Sequence, residues 1–358
     1  MSERMIKQFM EMVQIDSESG EEAQFIDYLL EEFRGMGAEA AKDDYGNLIA
    51  KFPAKGCEGK EPILLSCHAD TVKPGKGIEP VLADGVIRSK GDTILAADDK
   101  AGIAEMLEAI RTAEVYPPIE VAISRQEEVG LIGVKNLDYS RLTAKKGFLL
   151  DNDTLDTIVI GGPSYFAIDV NIKGKAAHAG MEPEKGISAI LAASKAITAL
   201  KLGRLDQETT ANVGVITGGL IRNGVPDSAG FLAECRSLKH DKAQKLAEEM
   251  EKTIKEQAAS VGAEVEVHID NLCRAVDIPE DSWTVQTAKK ALKKVGVNAA
   301  TTFITGFTDA SIYNNKGIEM AVVGIGAHLE HSCDEHIYTD DMVKAKDMIL
   351  EIFRLSAA

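Results

Sequence analysis

Residues 62–70 read Pro-Ile-Leu-Leu-Ser-Cys-His-Ala-Asp, an apolar run that ends in a histidine and an aspartate. A short run of this kind marks a buried strand, covered on both faces. Upstream, EEAQFIDYLLEEFRG (21–35) places Phe25, Tyr28, Leu29 and Phe33 on one stripe, the spacing of an amphipathic helix. Downstream, the pattern predicts a helix over 98–113, a strand in VAISR (121–125) and another in FLL (148–150). Strands alternating with helices specify an α/β fold, with a parallel or mixed sheet between helical layers.

Near Gly161–Pro163 the pattern changes. A strand (166–173), a helix (185–201), two strands (211–217 and 229–238), a helix (241–260) and a strand (263–269) follow in order. That β-α-β-β-α-β series is the split arrangement of a ferredoxin-like α+β module. After about residue 275 the α/β pattern returns, with a helix (281–294), the strand AVVGIG (321–326) and a closing helix (339–356). The expected architecture is a mixed-sheet αβα domain built from 1–163 and 274–358, interrupted by a smaller inserted domain of 164–273.

Bulk properties narrow the function. A chain of 358 residues with 45% apolar content is long enough for two cores. Its net charge of −17 argues against a nucleic-acid partner, because phosphate binding needs a basic face. No apolar stretch reads as a signal peptide or a membrane span. Five cysteines without paired spacing suit free thiols in a reducing compartment, and the expected location is cytoplasmic.

In an open α/β sheet, ligands bind beyond the carboxyl ends of the strands. Five such places carry polar residues here. In SCHAD, His68 and Asp70 are two apart and share a face of the extended chain. A carboxylate beside a histidine can hold its second nitrogen while the first meets a metal. An isolated pair of this kind is more often a hydrogen-bonded strand end. AADDKAG opens a helix with Asp98 and Asp99, which alone would read as caps. SRQEEVG sets Glu127 beside Glu128, a pair that repels unless a cation, a proton or solvent intervenes. Asp151 ends the apolar strand of LLDND, and GAHLEHSCDEHI packs in His328, His331 and His336. Jointly, imidazoles and carboxylates at one sheet edge suit a dinuclear site of divalent ions.

The series HAD, ADDKAG, EEVG, LLD and HSCDE resembles the dinuclear zinc metallopeptidases that include peptidase T, carboxypeptidase G and the aminoacylases. GKAAHAGMEPEKGISAI, NVGVITGG, RNGVPDSAGFLAECRS and TDASIYNNKGI extend the likeness over essentially the whole chain, and ADDKAG and LLDND resemble the peptidase T-like branch. The resemblance implies a zinc-peptidase-like catalytic domain holding two divalent ions, Zn²⁺ with Mn²⁺ or Co²⁺ as alternatives. It implies His68, Asp98, Glu128, Asp151 and His331 as ligands, with Asp98 bridging and Asp99 a helix-start residue. Asp70 would orient His68, and Glu127 would be the general base. His331 is preferred to His328 because HSCDE fits the family's motif, with Glu335 in place. The inserted domain would be a lid and dimer surface, with His178 stabilising the oxyanion and Asn223 and Arg236 contacting substrate. Arg236 is equally a structural ion-pair partner. The implied activity is metal-dependent removal of the N-terminal residue from a short peptide, like a tripeptide aminopeptidase, by a homodimer. A dipeptidase, a carboxypeptidase or an N-acyl amino acid deacylase could use the same machinery. An inactive metal-binding protein would lack the base or a ligand, and a dinuclear phosphoesterase would want more positive charge.

Overall fold

The computed structural model describes residues 2–358. It divides into two compact units: one runs up to Gly161 and includes Asp277–Ile304 and Thr308–Ala358, and the other comprises Gly162–Val276 with Thr305–Phe307.

The first unit is built on a nine-stranded mixed sheet. Its order runs Glu39–Lys42, Leu48–Phe52, Ile119–Ser124, Ile63–His68, Lys146–Asn152, Glu319–Gly324, Thr157–Gly162 and Val276–Asp277, with Ala300–Phe303 also paired to Thr157–Gly162. From Ile119–Ser124 through Glu319–Gly324 the neighbouring strands are parallel, and the flanking pairs are antiparallel. Every residue of Ile63–His68 and Ile119–Ser124 is buried. Successive side chains point to opposite faces, so unbroken burial requires cover on both. That is why these strands are largely apolar; the buried Glu120 accepts from the Thr143 and Ala144 N–H groups and the Thr143 hydroxyl. Helices Ala97–Thr112, Thr339–Ala357, Trp283–Lys294 and Ser2–Met12 pack on one another, while Ala23–Gly35 packs on the strands at the Glu39–Phe52 edge.

Register places the ends of the parallel strands together. His68 is level with Ser124, and Ser66 with Leu149, so Asp151 stands beside His68. A separate four-stranded antiparallel sheet, which sequence periodicity did not reveal, joins Ala327–His328, His336–Tyr338, Val86–Ser89 and Pro80–Ala83. Strands of two to four residues are too short to show alternation.

The second unit is a five-stranded antiparallel sheet, ordered Gly203–Arg204, Thr209–Gly218, Ser228–Ser237, Ser164–Lys173 and Glu264–Cys273. Phe166, Ile168, Val170 and Ile172 alternate inward along Ser164–Lys173 and meet Ala189, Ala192, Ala193 and Ala196 of helix Ala189–Ala199. Helix His240–Ser260 adds Ala243, Ala247, Met250 and Ile254 to the same core. The expected helix over 185–201 is shorter, because Pro183–Lys185 forms a 3-10 turn and Ser188 caps the helix by accepting from the Leu191 N–H at 3.2 Å.

Candidate metal centre

Five segments converge beyond the parallel strands. His68 ends its strand fully buried. Its Nε2 lies 3.0 Å from Oδ1 of Asp98 and 3.6 Å from Oδ1 of Asp151. On the other side of Asp98, Oδ2 lies 3.2 Å from Nε2 of His331, which is 2.9 Å from Oε1 of Glu128. Asp98 thus presents one oxygen to each imidazole.

Asp70 differs in detail from expectation. Its backbone carbonyl, not its carboxylate, is the nearest partner of His68 Nδ1, at 2.8 Å, with Oδ1 3.5 Å away. The carboxylate instead accepts the N–H groups of Glu127 at 2.8 Å and Glu128 at 3.2 Å. With Nδ1 donating to the carbonyl, Nε2 is the nitrogen left to face Asp98.

Asp99 lies in the first turn of helix Ala97–Thr112, as expected, but Asp98 and Asp99 both have non-helical backbone angles and the Asp99 side chain does not cap the helix. Asp99 is fully buried, its Oδ2 accepts the His68 N–H at 3.1 Å, and its Oδ1 has no partner. A Cβ at Gly102 would meet that Oδ1 at 2.4 Å and the Leu150 carbonyl at 2.7 Å, so only glycine lets this helix approach the site strand. Glu335 holds the turn before Asp98, accepting from Leu95 N–H at 2.7 Å, Ala96 N–H at 2.8 Å and Asp98 N–H at 3.1 Å. Asp309, the second residue of TDASIYNNKGI, is also fully buried; Ser124 Oγ donates to its Oδ2 while Oδ1 is unpartnered among the described residues. Ala96, Gln126, Leu131, Leu329 and His331 all take left-handed backbone angles, a strain that concentrates at functional sites.

Charge is poorly balanced here. Burial alone would lower the His68 pKa, but the Asp98 charge and its carboxylate hydrogen bonds raise it well above the ordinary value. Hydrogen bonds to Asp98 and Glu128 push His331 up to about 10. Burial, with Asp98 and Asp309 charged nearby, pushes Asp151 up to about 7. Burial and the Asp151 charge also hold Glu127 well above the usual carboxylate range. His68, Asp98 and Glu128 bring one ligand atom each within 4.8 Å of one another, as do His68, Asp99 and Asp151. Carboxylates that retain protons for lack of cationic partners, an orphaned Asp99 oxygen and imidazole nitrogens facing carboxylates fit divalent cations.

His328 is engaged elsewhere: its ring stacks on His336 at 5.2 Å, edge-on to Tyr338, with Asp341 3.7 Å away. In the second unit, His178 and Asn223 line one concavity of about 500 Å³. His178 Nδ1 accepts from the Gly180 and Met181 N–H groups, each at 3.2 Å, which leaves Nε2 to carry the proton. Arg236 is held by Glu234 at 2.8 Å, donates to the Thr305 carbonyl and lies over the Tyr165 ring at 4.4 Å.

A parallel-centred α/β sheet whose strand ends gather imidazoles and carboxylates is the frame of a metal-dependent hydrolase. A peptidase dimerisation domain matches residues 163–262. Aminopeptidase PepT from Bacillus cereus superposes with a TM-score of 0.92 at 37% identity, over 100% of this chain and 99% of that one. A tripeptidase from Staphylococcus aureus gives a TM-score of 0.94 at 33% identity, over 100% and 99%. The uncharacterized protein YqjE of Bacillus subtilis is 38% identical over 99% of this chain and 98% of its own. The chain belongs to the M20 peptidase family, in the group formed with peptidase T.

Proposed function

We propose that this protein is a metal-dependent aminopeptidase that removes the N-terminal residue of short peptides, tripeptides foremost. The observation that carries the reading is Asp98 offering one oxygen to each of two imidazoles. His68, Asp98 and Asp151 would hold one cation, and His331, Asp98 and Glu128 the other. Bound there, zinc, or manganese or cobalt in its place, supplies Lewis acidity that acidifies water and polarises a carbonyl.

The chain's own groups account for the proton movements. Glu127, buried and disposed to bind a proton, takes one from the attacking water and passes it to the departing amine. Asp70 fixes the Glu127 backbone and faces the His68 ring. His178, with its proton on Nε2, is the donor for the oxyanion. Asn223, beside it, and Arg236, through N–H groups not engaged by Glu234 and Thr305, are assigned to the substrate.

The domain of residues 164–273 is assigned as a lid and homodimer surface. Gly203–Arg204 pairs only with Thr210 and Ala211, so the rest of strand Thr209–Gly218 has an open edge, and Val215, Ile216 and Ile221 are exposed around it. Among the described residues no helix is long and apolar enough to cross a membrane. With five free cysteines, we read the location as cytoplasmic.

The test is a panel of tripeptides, dipeptides, N-acyl amino acids and nitrophenyl phosphate, offered to chelator-stripped protein reloaded with zinc, manganese or cobalt. The expected result is cation-dependent release of the N-terminal residue from tripeptides. Faster turnover of any other substrate class would replace this reading.

A further inference from the structure

The carboxylate of Asp70 is completely buried and accepts hydrogen bonds from three sources. Two are the N–H groups of Glu127 and Glu128. The third is the hydroxyl of Ser19, which donates to Oδ2 at 2.7 Å. Ser19 comes from the stretch between helices Ser2–Met12 and Ala23–Gly35, outside every motif that marks the site.

That stretch is tied to both neighbouring site segments. The Thr71 N–H donates to the Ser17 carbonyl at 3.0 Å, the Ser19 N–H to the Thr71 carbonyl at 3.2 Å, and the Gly75 N–H to Glu18 Oε1 at 2.9 Å. A few residues on, Glu22 accepts from Arg125 Nη2 at 2.8 Å and Nε at 3.0 Å, just before Glu127. Residues 17–22 therefore form a strap across the His68–Thr71 and Arg125–Glu128 segments.

We propose that Ser19 is a positioning residue for the metal centre, its hydroxyl locking Asp70 in the rotamer that faces His68 Nδ1 and anchors Glu127 and Glu128. A carboxylate turns easily about its last torsion. The Glu127 N–H holds Oδ1, the Glu128 N–H reaches Oδ2 at a longer 3.2 Å, and the Ser19 hydroxyl gives Oδ2 its shorter bond, at 2.7 Å. Groups that orient a ligand in this way typically set metal affinity by 10- to 100-fold. The inference rests on His68 and Glu128 being ligands, as in the function proposed above.

The experiment compares Ser19→Ala and Ser19→Thr in the full chain. Each protein is stripped with chelator, titrated calorimetrically with Zn²⁺ against a competing chelator, melted in the stripped form and assayed on a tripeptide. The Ala variant is expected to bind zinc about 10- to 100-fold more weakly. Its kcat falls while KM stays within about two-fold, and its stripped melting temperature stays close to that of the parent. The Thr variant, which keeps the hydroxyl, is expected to recover zinc affinity. Parental zinc affinity in the Ala variant overturns the proposal, and so does a Thr variant as impaired as Ala. A parent protein that binds no zinc overturns the metal reading and this inference with it; zinc binding without peptide hydrolysis overturns only the aminopeptidase reading.

Discussion

Nε2 of His331 stands 2.9 Å from Oε1 of Glu128. The two are distant in sequence, Glu128 in the loop after Ile119–Ser124 and His331 on a left-handed backbone after Ala327–His328. The ion pairs of His331 are with Asp98 and Glu128 alone among the described residues, so removing the histidine should empty one position and spare the other. For His331→Ala the expected metal content, read by elemental mass spectrometry, falls from about two ions per chain to about one. Peptide hydrolysis should drop by about 10³-fold or more, and a variant that keeps both ions would remove His331 from the ligand set.

Glu127 is buried beside the same centre, its backbone N–H held by Asp70. Glu127→Gln preserves shape while abolishing proton acceptance. It should retain both ions and lose kcat by about 10²- to 10⁴-fold. Near-parental turnover would end its role as base.

Without cations, stability should fall as pH rises. Asp151 and Asp309 ionise at an ordinary 3.8 when unfolded and at about 7 when folded, burial being the main cause in each. Between those values the folded chain keeps protons that the unfolded chain has released. Each contribution is therefore complete below about pH 4 and lost as pH climbs through about 7. The melting temperature of chelator-treated protein should decline across that window. Added zinc should raise it most at the upper end, where protons no longer compete for the ligands. A melting temperature that climbs from pH 4 to 7 in chelator would contradict this.

The Glu22–Arg125 pair should matter for folding. Glu22 is fully buried and also accepts the Gly20 N–H at 2.6 Å. Glu22→Ala strands a guanidinium that is itself mostly covered, and the expected cost is about 3 kcal/mol by urea denaturation. A loss below about 1 kcal/mol would show that solvent compensates Arg125.

Much of the architecture was legible locally. Ile63–His68, Ile119–Ser124 and Glu319–Gly324 announced themselves as apolar runs, and the amphipathic stripe of Ala23–Gly35 as a helix, because periodicity is a property of neighbouring residues. The small sheet around His336–Tyr338 was not legible, since its strands are too short to carry a period. At the site, the rule that ligands gather beyond strand ends singled out five places. The family resemblance narrowed them to His68, Asp98, Glu128, Asp151 and His331, and these five side chains lie side by side.

Sequence by itself determined the order of strands and helices and the chemical kinds of group at their ends. Tertiary structure alone decided which atom of Asp70 meets His68, that Asp99 lies buried beneath the histidine rather than capping a helix, and that Ser19 and Asp309 belong to the same neighbourhood. Those contacts depend on strand register, on a glycine that lets a helix close in, and on a strap from a distant segment. None of these leaves a mark on the residues nearest to it in the chain.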